Sequence, residues 1–257
     1  MHVSRMKISI SKGIGVLLLS LSLVACQPKI WQAEASLTQT DVPVAKTIAP
    51  DPQAEAYIAP YREQVTAKMN EIIGHAPAEL GKGDYQSPLG NFVVDLLLEQ
   101  SRPLYKGTID MATTTNGGLR VPIPLGAVKV GSIFELMPFE NELVVLTLAG
   151  QDVQEFFDIA AKAKFAPIAN ATYTVKNGKA TDIKIGGKPF NPQQTYTIVT
   201  SDYLAGGGDD LNVFKRAIKT EKVGLMMRDA IMQHIRQLTA AGKAIGADTT
   251  NRVTILP

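Results

Sequence analysis

The side chains best suited to chemistry fall in three short runs. The first is Thr195 to Asp210, Thr-Tyr-Thr-Ile-Val-Thr-Ser-Asp-Tyr-Leu-Ala-Gly-Gly-Gly-Asp-Asp. Its β-branched and aromatic start reads as a strand, and it empties into Gly206, Gly207 and Gly208. Such a run lets backbone approach another group closely, or adopt φ values that other residues refuse. The plainest reading of the end is a tight turn with two solvated acids, Asp209 and Asp210. Against it stands Tyr203, an aromatic ring six residues before Asp209. The second and third runs lie upstream, Asn116-Gly-Gly-Leu-Arg120 and Pro138-Phe139-Glu140-Asn141. Each residue also has an ordinary structural use. Phe139 could staple the start of a strand, Tyr203 could cap a sheet edge, and Arg120 could pair with Asp209 or Asp210. Bond-making machinery is not legible. After residue 26 the chain holds two histidines, His75 and His234, with no Ser-His-Asp, Cys-His or zinc spacing. Asp209-Asp210 lacks the ligand alternation of a calcium loop.

The elements that must position these runs follow from periodicity. Asp51-Pro52 is an N-cap and first-turn proline, and Ile58, Tyr61, Val65, Met69 and Ile72 recur at helical spacing, with Pro60 as a kink or start and Gly74 as the end. His75 is then a solvated side chain beyond that helix. Ser87-Pro88 opens a second helix with Leu89, Phe92, Val93, Leu96 and Leu97 on one stripe. A short strand near 108–114 leads into the Asn116 run, and a short helix near 132–136 precedes Pro138. Residues 142–148 read as a strand and 150–164 as a helix with Val153, Phe156, Phe157 and Ala160 inward. Residues 173–185 read as a hairpin with Asn177-Gly178 at its tip. Residues 223–241 read as one amphipathic helix ending at Gly242, and 253–256 as a last strand. Helices mixed with hairpins predict an α+β fold with a mixed sheet and packed helices.

Taken together, the three runs resemble the C-terminal domain of the 5'-nucleotidase and UDP-sugar hydrolase family, over about residues 61–214. The spacing carries the resemblance, Arg120 standing nineteen residues before Phe139. It implies that Phe139 and Tyr203 sandwich a nucleobase, since every base offers a π-face to stack on. It further implies that Asp209 accepts from ribose hydroxyls, that Arg120 contacts ribose or phosphate, and that Asn141 meets the base edge. Asn116 opens the arginine loop and joins the expected site. The sequence also departs from the pattern. The family's Asn-Gly-Gly-Gly-Ile-Arg is one residue shorter here, a further family arginine is replaced by Gly83 beside Lys82, and a Ser-Gly pair reads Ala169-Asn170. Family enzymes hydrolyse phosphate esters with two metals held on an N-terminal domain by Asp, His and Asn ligands. This sequence offers no Asn-His-Asp/Glu run. The implied assignment is therefore no catalytic or metal residue in this chain, a nucleoside or nucleotide ligand, and divalent metals on a separate metallophosphatase. The alternative is a non-catalytic binding module for nucleosides, nucleotides or nucleotide sugars.

The address is written at the start. Arg5, Lys7 and Lys12 precede an apolar run, Ile14 to Leu23, and then Leu23-Val24-Ala25-Cys26, the only cysteine. This resembles a lipobox. The expected organisation is a signal peptide over 1–25, a lipid-anchored Cys26 opening a tether over 26–52, and a domain over 53–257. Gln27 after the cysteine leans towards the outer membrane of a bacterial envelope. The whole chain has 26 basic and 24 acidic residues. Without Arg5, Lys7 and Lys12 the rest carries a net charge of −1, which leaves no basic field for nucleic acid.

Overall fold

The two strands that dominate the fold are buried on both faces over most of their length. β4 (Glu142–Ala149) and β9 (Thr195–Ser201) pair antiparallel from Leu143 opposite Ser201 to Ala149 opposite Thr195. In this computed structural model, which describes residues 49–256, they form the centre of a five-stranded sheet. β10 (Lys219–Met226) flanks β4, β2 (Met111–Thr113) runs parallel to β9, and β5 (Ile168–Ala169) closes the other edge. Parallel and antiparallel pairs share one sheet, so the α+β, mixed-sheet expectation holds. The expected signal peptide, the expected anchor Cys26 and nearly all of the expected tether lie outside the described residues.

A sheet buried on both faces needs two cores, and the pleat supplies them. Val145 and Val199 point into one core, with helices α2 (Pro88–Ser101) and α6 (Met227–Ala240). Val144, Leu146 and Ile198 point into the other, with α4 (Gly150–Ala163) and the hairpin β6 (Ala171–Lys176) and β7 (Lys179–Ile185). Ser87 caps α2, its Oγ accepting from the Gly90 amide at 3.0 Å. At the hairpin tip Asn177 and Gly178 both take positive φ, 51° and 72°, as a two-residue turn matched to strand twist requires. β7 continues to β8 (Lys188–Pro189), and β11 (Val253–Leu256) lies parallel to β6.

Three elements differ from expectation. α1 (Pro52–Met69) runs through Pro60 without ending and buries none of its residues; Met69 alone packs partly against the core. It stops before Ile72, because Ile72–Ala76 is β1, paired with β3 (Gly126–Lys129). Gly74 is thus a strand residue, and His75 lies exposed on the same strand. A Cβ on Gly74 would stand 2.6 Å from Ile235 Cγ2, so the glycine lets α6 pack closely on β1. Lastly, 223–226 belong to β10. Val223 and Leu225 alternate inward as strand residues, and pairing with β4 overrides the helical period that Met226 shares with the residues after it. Met226 is 39% exposed.

Candidate nucleoside-binding cleft

One wall of the cleft begins where β9 ends. Ser201 Oγ accepts from the Leu204 amide at 3.2 Å and caps a single helical turn, α5 (Asp202–Ala205). Tyr203 therefore stands on this turn rather than at the strand end. The glycine run then divides its duties. Gly207 takes φ 87°, whereas Gly208 makes room: a Cβ there would lie 2.4 Å from Cε1 and Cζ of the Tyr203 ring. The left-handed backbone resumes after Gly208 at Asp209 (φ 51°) and Asp210 (φ 62°), which costs a non-glycine residue about 1–2 kcal/mol. What holds Asp209 there is its carboxylate, which accepts from Tyr203 Oη at 3.0 Å and from Thr115 Oγ1. The tyrosine ring and the acid are thus one unit. Gly117 permits it, since a Cβ there would meet Asp209 Oδ2 at 3.0 Å.

A second part of the lining comes from the segment between the short helix α3 (Val130–Leu136) and β4. Phe139 is 44% exposed and Tyr203 53%, and among the described residues neither ring packs on another aromatic. Asn141 donates Nδ2 to Asp202 Oδ1 at 3.1 Å, joining this segment to the turn that carries Tyr203. Arg120 is anchored by its amide to the Leu136 carbonyl at 2.9 Å, and its Nη1 donates to the Gly117 carbonyl at 3.2 Å. Among the described residues Arg120 has no ion pair, so the pairing with Asp209 or Asp210 that the sequence allowed does not form. Among the described residues its other guanidinium N–H donors have no protein acceptor.

Arg120, Phe139, Asn141, Tyr203 and Asp209 all line one cavity of about 270 Å³, with Met137 and Met227 supplying apolar surface. That is near the small end of ligand pockets, about 300–1,000 Å³. A larger groove of about 470 Å³ runs past Asp95, Arg102, Lys184 and Arg252. It is open, without an aromatic side chain, and its central Arg252 is already spent on Asp95 at 2.6 and 2.9 Å. The smaller cleft is the better built site.

Asn116 is the one candidate outside this lining. Its Nδ2 donates to the Gly83 carbonyl at 2.8 Å, its amide to Phe165 O at 2.8 Å, and its Oδ1 is buried without a partner. In this structure Asn116 ties the arginine loop to the Gly83 loop. Thr115, which holds Asp209, was not singled out in the sequence. A threonine beside a glycine pair carries no distinctive signal, and only the folded register brings it to the acid. Among the described residues no three His, Cys, Asp or Glu side chains gather as a metal site. The dimetal chemistry that the family resemblance implies has no fitting donor set there.

The Gly208 geometry gives a first test. Gly208→Ala should displace the Tyr203 ring towards solvent at the expense of its bond to Asp209, and because the ring is half-exposed the melting temperature should stay within about 3 °C. Ligand affinity should fall by about fivefold or more as one stacking face is lost. A Gly208→Ala variant with wild-type affinity would show that the ring position is not used.

The sequence and fold can now be compared with known proteins. The sequence model of the family described as 5'-nucleotidase, C-terminal domain, matches residues 67–216. The chain is 29% identical over 167 residues to the endonuclease YhcR of Bacillus subtilis, covering 62% of this chain and 13% of that protein. It is 26% identical over 173 residues to the protein UshA of Escherichia coli, covering 63% and 30%. The chain therefore spans under a third of either relative. The 5'-nucleotidase precursor of Thermus thermophilus superposes with a TM-score of 0.68 at 24% identity, over 79% of this chain and 43% of that one. The NAD nucleotidase of Haemophilus influenzae superposes at 0.62 and 18%, over 82% and 43%. These two likenesses speak for the fold. With the family match over more than half of its length, the chain belongs to the 5'-nucleotidase C-terminal domain family.

Proposed function

We propose that this chain is the substrate-recognition half of a split 5'-nucleotidase-type phosphohydrolase of nucleotide catabolism, binding the nucleoside portion of its ligand. The observation that carries the reading is the pair of half-exposed rings, Phe139 and Tyr203, lining one cavity with Asp209 and Arg120. Two ring faces suit a flat heteroaromatic base. Asp209, already fixed by Tyr203 and Thr115, keeps lone pairs for ribose hydroxyls, and the Arg120 fork suits hydroxyls or phosphate. Asn141, in the same lining, would meet the base edge. The relatives support the substrate class, since they include a protein named 5'-nucleotidase from Vibrio vulnificus and a trifunctional nucleotide phosphoesterase from Bacillus subtilis. Hydrolysis would fall to a separate metallophosphatase holding the divalent metals. Cys26 would anchor the chain to a bacterial envelope membrane, the outer one being favoured by Gln27. If Cys26→Ala leaves the protein in the membrane fraction, that anchor is wrong.

The purified chain should hydrolyse neither AMP nor p-nitrophenyl phosphate with manganese, cobalt or zinc. Adding a metallophosphatase that lacks this domain should raise its kcat/KM for AMP by about tenfold or more, through binding the nucleoside end of the substrate. Turnover by the chain alone that survives purification would overturn the split arrangement. Binding of adenosine without any effect on such a phosphatase would leave a non-catalytic nucleoside-binding module.

A further inference from the structure

Arg228, the second residue of α6, is a charged side chain in an unusual place. It is only 8% exposed, and a buried guanidinium is unfavourable unless its donors are paired. Its partners come from residues 134–140, around the segment that carries Phe139, and its buried Nε has none among the described residues. Nη1 donates to the Met137 carbonyl at 3.3 Å and Nη2 to Glu140 Oε1 at 2.5 Å. The guanidinium lies over the Phe134 ring, 4.1 Å from its centroid, which suits a planar cation. The preceding residue of the same helix completes the grip, as the Met227 amide donates to the Asn141 carbonyl at 2.8 Å. The first turn of α6 thus holds residues 137, 140 and 141, and Pro138 and Phe139 are the span between the held points.

We propose that Arg228 is a positioning residue for the cleft, clamping the Met137–Asn141 loop from the core side and so setting where the Phe139 ring stands. This rests on the reading of Phe139 as a stacking ring. Glu140 contributes less than Arg228, because its side chain is 79% exposed and an exposed carboxylate holds weakly. The Met137 carbonyl and the Phe134 ring are the contacts that fix the guanidinium. Lysine cannot replace it fully, since one ammonium does not reach two acceptors while lying flat on a ring.

Two readouts separate positioning from plain stability. Exchange of the Met137 and Met227 amides, hydrogen-bonded at the two ends of the loop, is followed by NMR in wild type, Arg228→Met and Arg228→Lys. Adenosine affinity is measured by calorimetry in the same proteins, in Phe139→Ala and in the double variant Phe139→Ala/Arg228→Met. Arg228→Met should speed exchange at those two amides by about fivefold or more, with the β4–β9 ladder within about twofold. It should weaken adenosine by about fivefold, yet add less than about 1.5-fold once Phe139 is gone. Arg228→Lys should fall between. Unchanged exchange at the two amides, exchange raised evenly through the chain, or a full fivefold loss in the Phe139→Ala background would overturn the proposal. If wild type binds no adenosine, the stacking reading fails and the exchange result alone upholds or overturns the clamp.

Discussion

Tyr203→Ala and Phe139→Ala are each expected to weaken adenosine binding about tenfold or more, while leaving the fold intact. A base stacked on an aromatic ring gains about 1–3 kcal/mol, and tenfold corresponds to about 1.4 kcal/mol. Both rings are half-exposed in the absence of ligand, so truncating them opens no core cavity and stability should move by less than about 1 kcal/mol. Tyr203→Ala should be the worse of the two. Its hydroxyl is one of the two groups that hold Asp209, so its removal also loosens the acid expected to meet the ribose. Calorimetry separates these terms. Tyr203→Ala should lose more with adenosine than with adenine, whereas Phe139→Ala should lose equally with both. Unchanged affinity in both variants would return the rings to a structural role.

Phe214→Ala should do the opposite, harming the fold more than the site. Phe214 sits in the 3-10 segment Asn212–Arg216 just after the Asp209 turn, is 1% exposed, and packs its ring 5.1 Å from that of Phe156 on α4. Phe156 and Phe157 continue the cluster to Tyr173 on the hairpin. Emptying such a position costs about 3–5 kcal/mol, which for a domain of this size lowers the melting temperature by roughly 6–20 °C. Well below that temperature adenosine affinity should stay within about threefold, because Phe214 is no part of the cleft lining. A Phe214→Ala protein as stable as wild type would mean that the cluster does not hold the glycine loop to α4. The contrast with Tyr203 separates the ring that packs from the ring that is offered to a ligand.

How much of this was legible in the sequence depended on whether the signal was local. The Ser87 cap, the Asn177-Gly178 tip and the inward stripe of α4 are decided within a few residues, and they stand where periodicity put them. The extension of β10 to Met226 was not legible. Its last residues share a helical period with α6, and only the ladder with β4, which resumes at Met226 opposite Glu142 past an irregularity after Lys222, makes them a strand. β1 was lost for the same reason, being a short strand that follows a helical pattern with only Asn70 and Glu71 between the helix end at Met69 and Ile72. In the cleft, five of the six proposed binding residues converge because family spacing encodes a fold-level register. Asn116 sits in the same motif, yet its side chain turns to Gly83, a partner 33 residues away that no local pattern reveals. Thr115 and Arg228 act through contacts across the fold, so neither could be found without it.

The most direct test of the nucleoside-binding reading is a calorimetric titration of adenosine into the chain, with adenine and AMP as companions. Two stacking faces give roughly 2–6 kcal/mol gross, and part of this is offset by the ligand's lost freedom. The expected dissociation constant is therefore on the order of 10 µM to 1 mM for adenosine. Adenine should bind several-fold more weakly, for want of the ribose that Asp209 would hold. AMP should bind within about threefold of adenosine, since among the described residues Arg120 is the only cation in the cleft lining and one exposed cation adds little. No heat of binding with adenosine up to about 5 mM, the weak end of measurable affinity, would contradict the assignment of this cleft.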